Sequence, residues 1–140
     1  MDKEKALIKC EKKSWKNKNF IESVKCTLRG IFYAICSERN IKIQLCFAVI
    51  AIIFGFVFNI SFVEWCVIVI VITMVLSAEM FNTAIEKTVD LCTKEYNELA
   101  KIAKDVSSGA VLLTAIASVI VGMIVFFPRI INEIGNLLKL

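Results

Sequence analysis

Four polar side chains, Glu79, Asn82, Glu86 and Asp90, stand at spacings of three, four and four in the stretch AEMFNTAIEKTVD. On a helix that turns 100° per residue they fall at about 0°, 300°, 340° and 20°, so they form one narrow stripe. Three carboxylates and an amide on one face can handle protons and a divalent cation. Glu79 and Glu86 are two turns apart, roughly 10.5 Å along the axis, too far to grip one ion unaided. They should therefore do different work. A carboxylate just inside a lipid boundary is costly to ionise and suits proton transfer, whereas one further into water can stay charged and hold Mg²⁺. That reasoning assigns Glu79 to the proton and Glu86 to the metal. A plainer reading stands beside it: a helix leaving a membrane gains acids because it meets water, and Asp90 with Lys94 would be an ordinary i,i+4 pair. It explains Glu86 and Asp90 as well as function does, but not Glu79, which follows the apolar run WCVIVIVITMVLS.

The elements that must position this stripe are membrane helices. The 140-residue chain is 58% hydrophobic with a mean hydropathy of +0.73, above the range of soluble domains. Residues 43–60, 62–80 and 106–127 are apolar and long enough to span, with Glu64 at the outer edge of the second window. Residues 20–40 place Ile21, Val24, Leu28, Ile31, Phe32 and Ile35 at spacings of three and four, as in an amphipathic helix lying on a membrane surface. The expected fold is thus an all-α membrane protein of one domain, with a basic tail over 1–19, a surface helix and three transmembrane helices. The first 29 residues contain no apolar core of a cleaved signal.

Eleven of the 17 Lys and Arg residues lie between Lys3 and Lys42, and Lys94, Lys101 and Lys104 lie between the second and third spans. The positive-inside rule then puts the N-terminus and the second loop in the cytoplasm and the C-terminus outside, with Arg129 and Lys139 outvoted. The net charge of +4 describes a membrane-facing surface, and no aromatic-interleaved basic module argues for nucleic acid. The six cysteines show no CxxC spacing, so reduced structural thiols are expected. With no histidine in the chain, imidazole catalysis, Ser-His dyads and HExxH zinc sites are excluded. Neither a Walker-type nor a GxGxxG phosphate loop is present. Glu38 and Asn40 before the first span, and Lys104 and Asp105 with Ser107, Ser108 and Gly109 at the start of the third, share the cytoplasmic face with the stripe. Singly each reads as a cap or a snorkelling residue. Together they supply carboxylates, an amide and a phosphate-type cation.

AEMFNTAIEKTVD resembles the signature of the prokaryotic diacylglycerol kinases, whose Gram-positive branch phosphorylates undecaprenol. AKDVSSGAVLL resembles their second motif, and SERNIKIQ the acidic stretch before the first span. The resemblance implies a homotrimer in the bacterial plasma membrane, with sites where subunits meet and with ATP and Mg²⁺ as reactants. It implies Glu79 as the general base on the lipid hydroxyl, Glu38 and Glu86 as the Mg²⁺ ligands, Lys104 as the γ-phosphate contact and Ser108 as part of the lipid site. Asn82, Asp90, Glu95, Tyr96, Asn97 and Asp105 would line the nucleotide. Gln44 stands where the Gram-positive branch carries a histidine, and Lys18 where a surface-helix arginine is common. The acceptor would be undecaprenol, with diacylglycerol as a slower alternative. A rival from another class is a small proton-coupled transporter, which would place its acid near mid-membrane rather than at the end of a span.

Overall fold

The computed structural model describes residues 19–138, and the elements in it are four α-helices. Residues 1–18, with Cys10 and Lys18, and residues 139–140, with Lys139, lie outside the described residues. The chain divides into two compact units, Met1–Lys42 and Ile43–Leu140.

In the first unit, α1 runs Phe20–Ser37. Its start is marked by Asn19, and Glu22 sits in its first turn, where a negative charge suits the helix N-terminus. The helix ends earlier than the apolar periodicity predicts. Glu38 turns into extended backbone (φ −96°, ψ 125°), its N–H still donating to the Ala34 carbonyl. α2, Arg39–Val57, begins at the next residue. Lys42 bridges the break by donating from Nζ to the Cys36 carbonyl at 2.8 Å. Along α1, Phe20, Ile21, Leu28 and Phe32 are exposed.

The second unit holds the rest of α2, then α3, Phe62–Cys92, and α4, Glu98–Leu137. α2, α3 and α4 are each long and apolar enough to cross a membrane. The α2–α3 turn is tight: Asn59 adopts a positive φ of 46°, and Ser61 caps α3. The cap is reciprocal. Ser61 Oγ accepts from the Glu64 N–H, while the Glu64 carboxylate accepts from the Ser61 N–H at 2.7 Å, which satisfies helix-end donors that have no intrahelical partner. Glu64 also accepts from Arg129 of α4 at 2.8 Å. The arginine that weighs against the expected orientation is therefore charge-paired.

Next to this turn lies the apolar core: Ile60, Ile68, Val125 and Phe126, joined by Ala51, Phe58, Trp65 and Ile72. The Phe54 ring stands edge-on to Phe126 and Phe58, centroids 5.8 Å apart in both pairs, a favoured quadrupole arrangement. Gly55 lets α2 approach α3, since a Cβ there would lie 2.6 Å from the Trp65 ring. Towards the other end of the helices a cavity of about 440 Å³ opens among Gln44, Ala48, Ile72, Val75 and Gly122. Many apolar side chains of α2, α3 and α4 face outward, Phe47, Ile70 and Leu113 among them, as lipid-facing or subunit-facing surfaces require.

Candidate active site

α3 continues unbroken to Cys92, so its polar stripe is one face of one helix. The four residues grade from buried to wet in chain order: Glu79 is 2% exposed and Asn82 7%, Glu86 is half-buried, and the Asp90 side chain is 57% exposed.

Among the described residues of the second unit, Glu79 is the most buried charge-bearing group. The amide of Gln44, from α2, reaches it: Nε2 stands 3.5 Å from Glu79 Oε2, at the long end for a hydrogen bond. Gln44 Oε1 is buried with no hydrogen-bond partner among the described residues. The carboxylate is thus held lightly, by a side chain that itself lines the apolar cavity.

One turn on, Asn82 ties α3 to α4. Its Nδ2 donates to Glu86 Oε1 at 3.0 Å. Its Oδ1 accepts from Ser107 Oγ at 2.6 Å and faces Ser108 Oγ at 3.5 Å. Thr83, beside it, is buried and donates to the Glu79 carbonyl at 3.0 Å.

At the wet end, Lys104 of α4 donates to Asp90 Oδ1 at 2.5 Å. Lys94 is not the partner: α3 ends before it, with Thr93 as the cap, so no i,i+4 geometry exists there. Lys104 holds the Asp90 carboxyl below its ordinary 3.8, first through their hydrogen bond and then through its charge. In return Asp90 pushes the Lys104 ammonium above its ordinary 10.5.

The remaining expected site residues lie near this end or apart from it. Glu95, Tyr96 and Asn97 occupy the α3–α4 connection. Glu95 N–H donates to Thr93 Oγ1 at 3.2 Å, Tyr96 is 83% exposed, and Asn97 caps α4 by accepting from the Ala100 N–H. Asp105 and Ser108 are exposed. Glu38 belongs to the first unit, where it ends α1 and accepts from Ser37 Oγ at 3.3 Å. No three His, Cys, Asp or Glu side chains converge as a metal cage among the described residues. Mg²⁺ is usually held by one or two carboxylates together with substrate phosphates, an arrangement that a half-buried acid such as Glu86 fits. Ser107 carries more of the geometry than sequence reasoning assigns it. The only signal was its place in the SSG run just inside the third apolar window.

Membrane-length helices with a buried acid, an amide and an ion pair graded towards water at one end define an integral-membrane protein with polar chemistry at an interface. The chain matches the prokaryotic diacylglycerol kinase family over residues 25–126 and belongs to it. It is 41% identical over 102 residues to the undecaprenol kinase of Bacillus subtilis (strain 168), covering 73% of this chain and 83% of that protein. With a diacylglycerol kinase of Synechocystis sp. it shares 36% over 115 residues, 81% of this chain and 66% of that one. With the diacylglycerol kinase of Escherichia coli (strain K12) it shares 27% over 101 residues, 72% and 83%. The chain is a lipid kinase.

Proposed function

We propose that this kinase transfers the γ-phosphoryl group of ATP to the hydroxyl of a membrane lipid alcohol, undecaprenol in preference to diacylglycerol. The observation that carries the reading is Glu79, buried at the end of an apolar run and followed on the same face by Asn82, Glu86 and Asp90. One substrate reaches such a stripe from lipid and the other from water.

The lipid oxygen forms the new bond to the γ-phosphorus as the bond to ADP breaks, and Glu79 takes the hydroxyl proton. Glu86 and Glu38 would hold Mg²⁺ arriving with the nucleotide, which would supply charge neutralisation on the phosphates. Lys104, now paired with Asp90, is the cation for the γ-phosphate, and Asp90 holds it at the site until nucleotide arrives. Asn82, Asp90, Glu95, Tyr96, Asn97 and Asp105 contact the nucleotide, and Ser108 the lipid head. Positioning and electrostatics of this kind supply most of the catalysis in phosphoryl transfer.

α1 lies on the membrane surface with its apolar side chains in lipid. The N-terminus and the site are cytoplasmic, and the C-terminus is outside the bacterial plasma membrane. Subunits associate as a homotrimer. The undecaprenol preference is supported by the name of the 41%-identical relative and by the cavity walls, which offer few donors to the ester carbonyls of a diacylglycerol. A proton-coupled transporter fits less well, because Glu79 sits at the end of its apolar run.

The test is competition in one detergent, with both lipids at equal mole fraction, Mg²⁺ and labelled ATP. Undecaprenyl phosphate is expected as the main product. Mainly phosphatidic acid would reverse the preference, and no labelled lipid at all would refute the reaction.

A further inference from the structure

Ser107 opens the membrane-facing part of α4 and is 6% exposed. Its hydroxyl has one proton and two acceptors in reach, Asn82 Oδ1 at 2.6 Å and the Lys104 carbonyl at 2.9 Å. The Asn82 amide decides between them. With Nδ2 donating to Glu86 at 3.0 Å, Oδ1 must face Ser107, and two oxygens 2.6 Å apart require a proton between them. The reversed amide would set its oxygen against the Glu86 carboxylate, acceptor against acceptor. Without the Ser107 hydroxyl, only Ser108 at 3.5 Å remains among the described residues to hold the amide carbonyl, and that residue is exposed.

We infer that Ser107 is a positioning residue of the phosphate-handling end: its buried hydroxyl fixes which way round the Asn82 amide stands, and through that amide it orients the Glu86 carboxylate. Ser107 belongs to α4, one turn after Lys104, so this one hydroxyl links the carboxylate of α3 to the start of α4. The inference rests on the proposed role of Glu86 towards Mg²⁺.

The experiment compares full-length wild type with Ser107→Ala, Ser107→Thr and Ser107→Cys in lipid nanodiscs, with two readouts. The first is the Mg²⁺ dependence of phosphoryl transfer at saturating ATP and lipid. The second is the Mg²⁺ concentration giving half-maximal thermal stabilisation with a non-hydrolysable ATP analogue, which reports binding without turnover. Losing the hydroxyl donor should raise both Mg²⁺ midpoints about tenfold in Ser107→Ala, while the lipid KM stays within about twofold. Ser107→Thr, which keeps the hydroxyl, should stay near wild type. Ser107→Cys, near-isosteric but a weak donor, should behave as the alanine variant and gives the answer if alanine disturbs folding.

Midpoints that superimpose on wild type in both Ala and Cys variants overturn the positioning role while leaving the kinase reaction intact. A loss of stability or a rise in lipid KM with unchanged Mg²⁺ midpoints assigns Ser107 to packing, and overturns it too. A wild type without Mg²⁺-dependent transfer refutes the reaction itself, and the inference falls with it.

Discussion

Replacing Asn82 by leucine separates the stability of the α3–α4 contact from its chemistry. The amide makes two well-formed hydrogen bonds, Nδ2 to Glu86 at 3.0 Å and Oδ1 from Ser107 at 2.6 Å. Leucine has nearly the same size, so no large cavity opens. Nor is a buried donor stranded, because the Ser107 hydroxyl can turn to the Lys104 carbonyl at 2.9 Å. Two hydrogen bonds at a net ~1 kcal/mol each, partly offset by the added apolar surface, give a stability loss of about 1–2 kcal/mol. Activity should suffer more. Glu86 loses the donor that orients it, and removing one preorganised polar group from such a site typically costs about 10²–10³ in kcat. The assay is labelled phosphoryl transfer to undecaprenol in mixed micelles, run beside thermal unfolding followed by tryptophan fluorescence. A variant retaining half of wild-type kcat would refute the claim that Asn82 orients a catalytic carboxylate. A fold that collapses outright would refute the stability argument.

Three further outcomes follow from the same geometry. Glu86→Gln or Glu38→Gln should raise the Mg²⁺ requirement more than the lipid KM; identical Mg²⁺ titrations in both would refute their proposed pairing on the metal. Gly55→Ala should lower stability by about 1–2 kcal/mol, because overpacking against the Trp65 ring outweighs the gain in helix propensity, with kcat per folded molecule unchanged; a melting temperature at or above wild type would contradict that packing. Since Asp90 is held below its ordinary 3.8 and Lys104 above its ordinary 10.5, their contribution to stability is present from above the first value to below the second. It is lost as pH falls through the depressed Asp90 pKa or rises through the elevated Lys104 pKa. Wild type should therefore melt slightly above Asp90→Asn at neutral pH and converge with it in acid, and a gap independent of pH would show that the ion pair does not produce it.

What could be read from the sequence was whatever helical periodicity controls. The stripe from Glu79 to Asp90 needed only an unbroken 100° repeat, and α3 keeps it to Cys92. Features set by packing between helices were out of reach. Spacing pairs Asp90 with Lys94, whereas the fold supplies Lys104 from the neighbouring helix. Charge counting treats Arg129 as a stray cation, whereas Glu64 neutralises it across α3 and α4. Apolar periodicity carries α1 on to residue 40, but a break at Glu38 is a matter of backbone dihedrals that periodicity does not encode. Ser107 was invisible as a positioning group for the same reason: its partner is 25 residues away.

The central claim is that a buried carboxylate at a membrane boundary activates a lipid hydroxyl, and Glu79→Gln tests it most directly. The substitution preserves shape and removes only the proton acceptor. It should leave the fold intact, as read by circular dichroism and elution volume, and it should leave nucleotide and Mg²⁺ binding near wild type. Transfer of labelled phosphate to undecaprenol should fall by about 10²–10⁴, the usual contribution of a general base. A folded Glu79→Gln variant that phosphorylates the lipid at close to the wild-type rate would contradict the account.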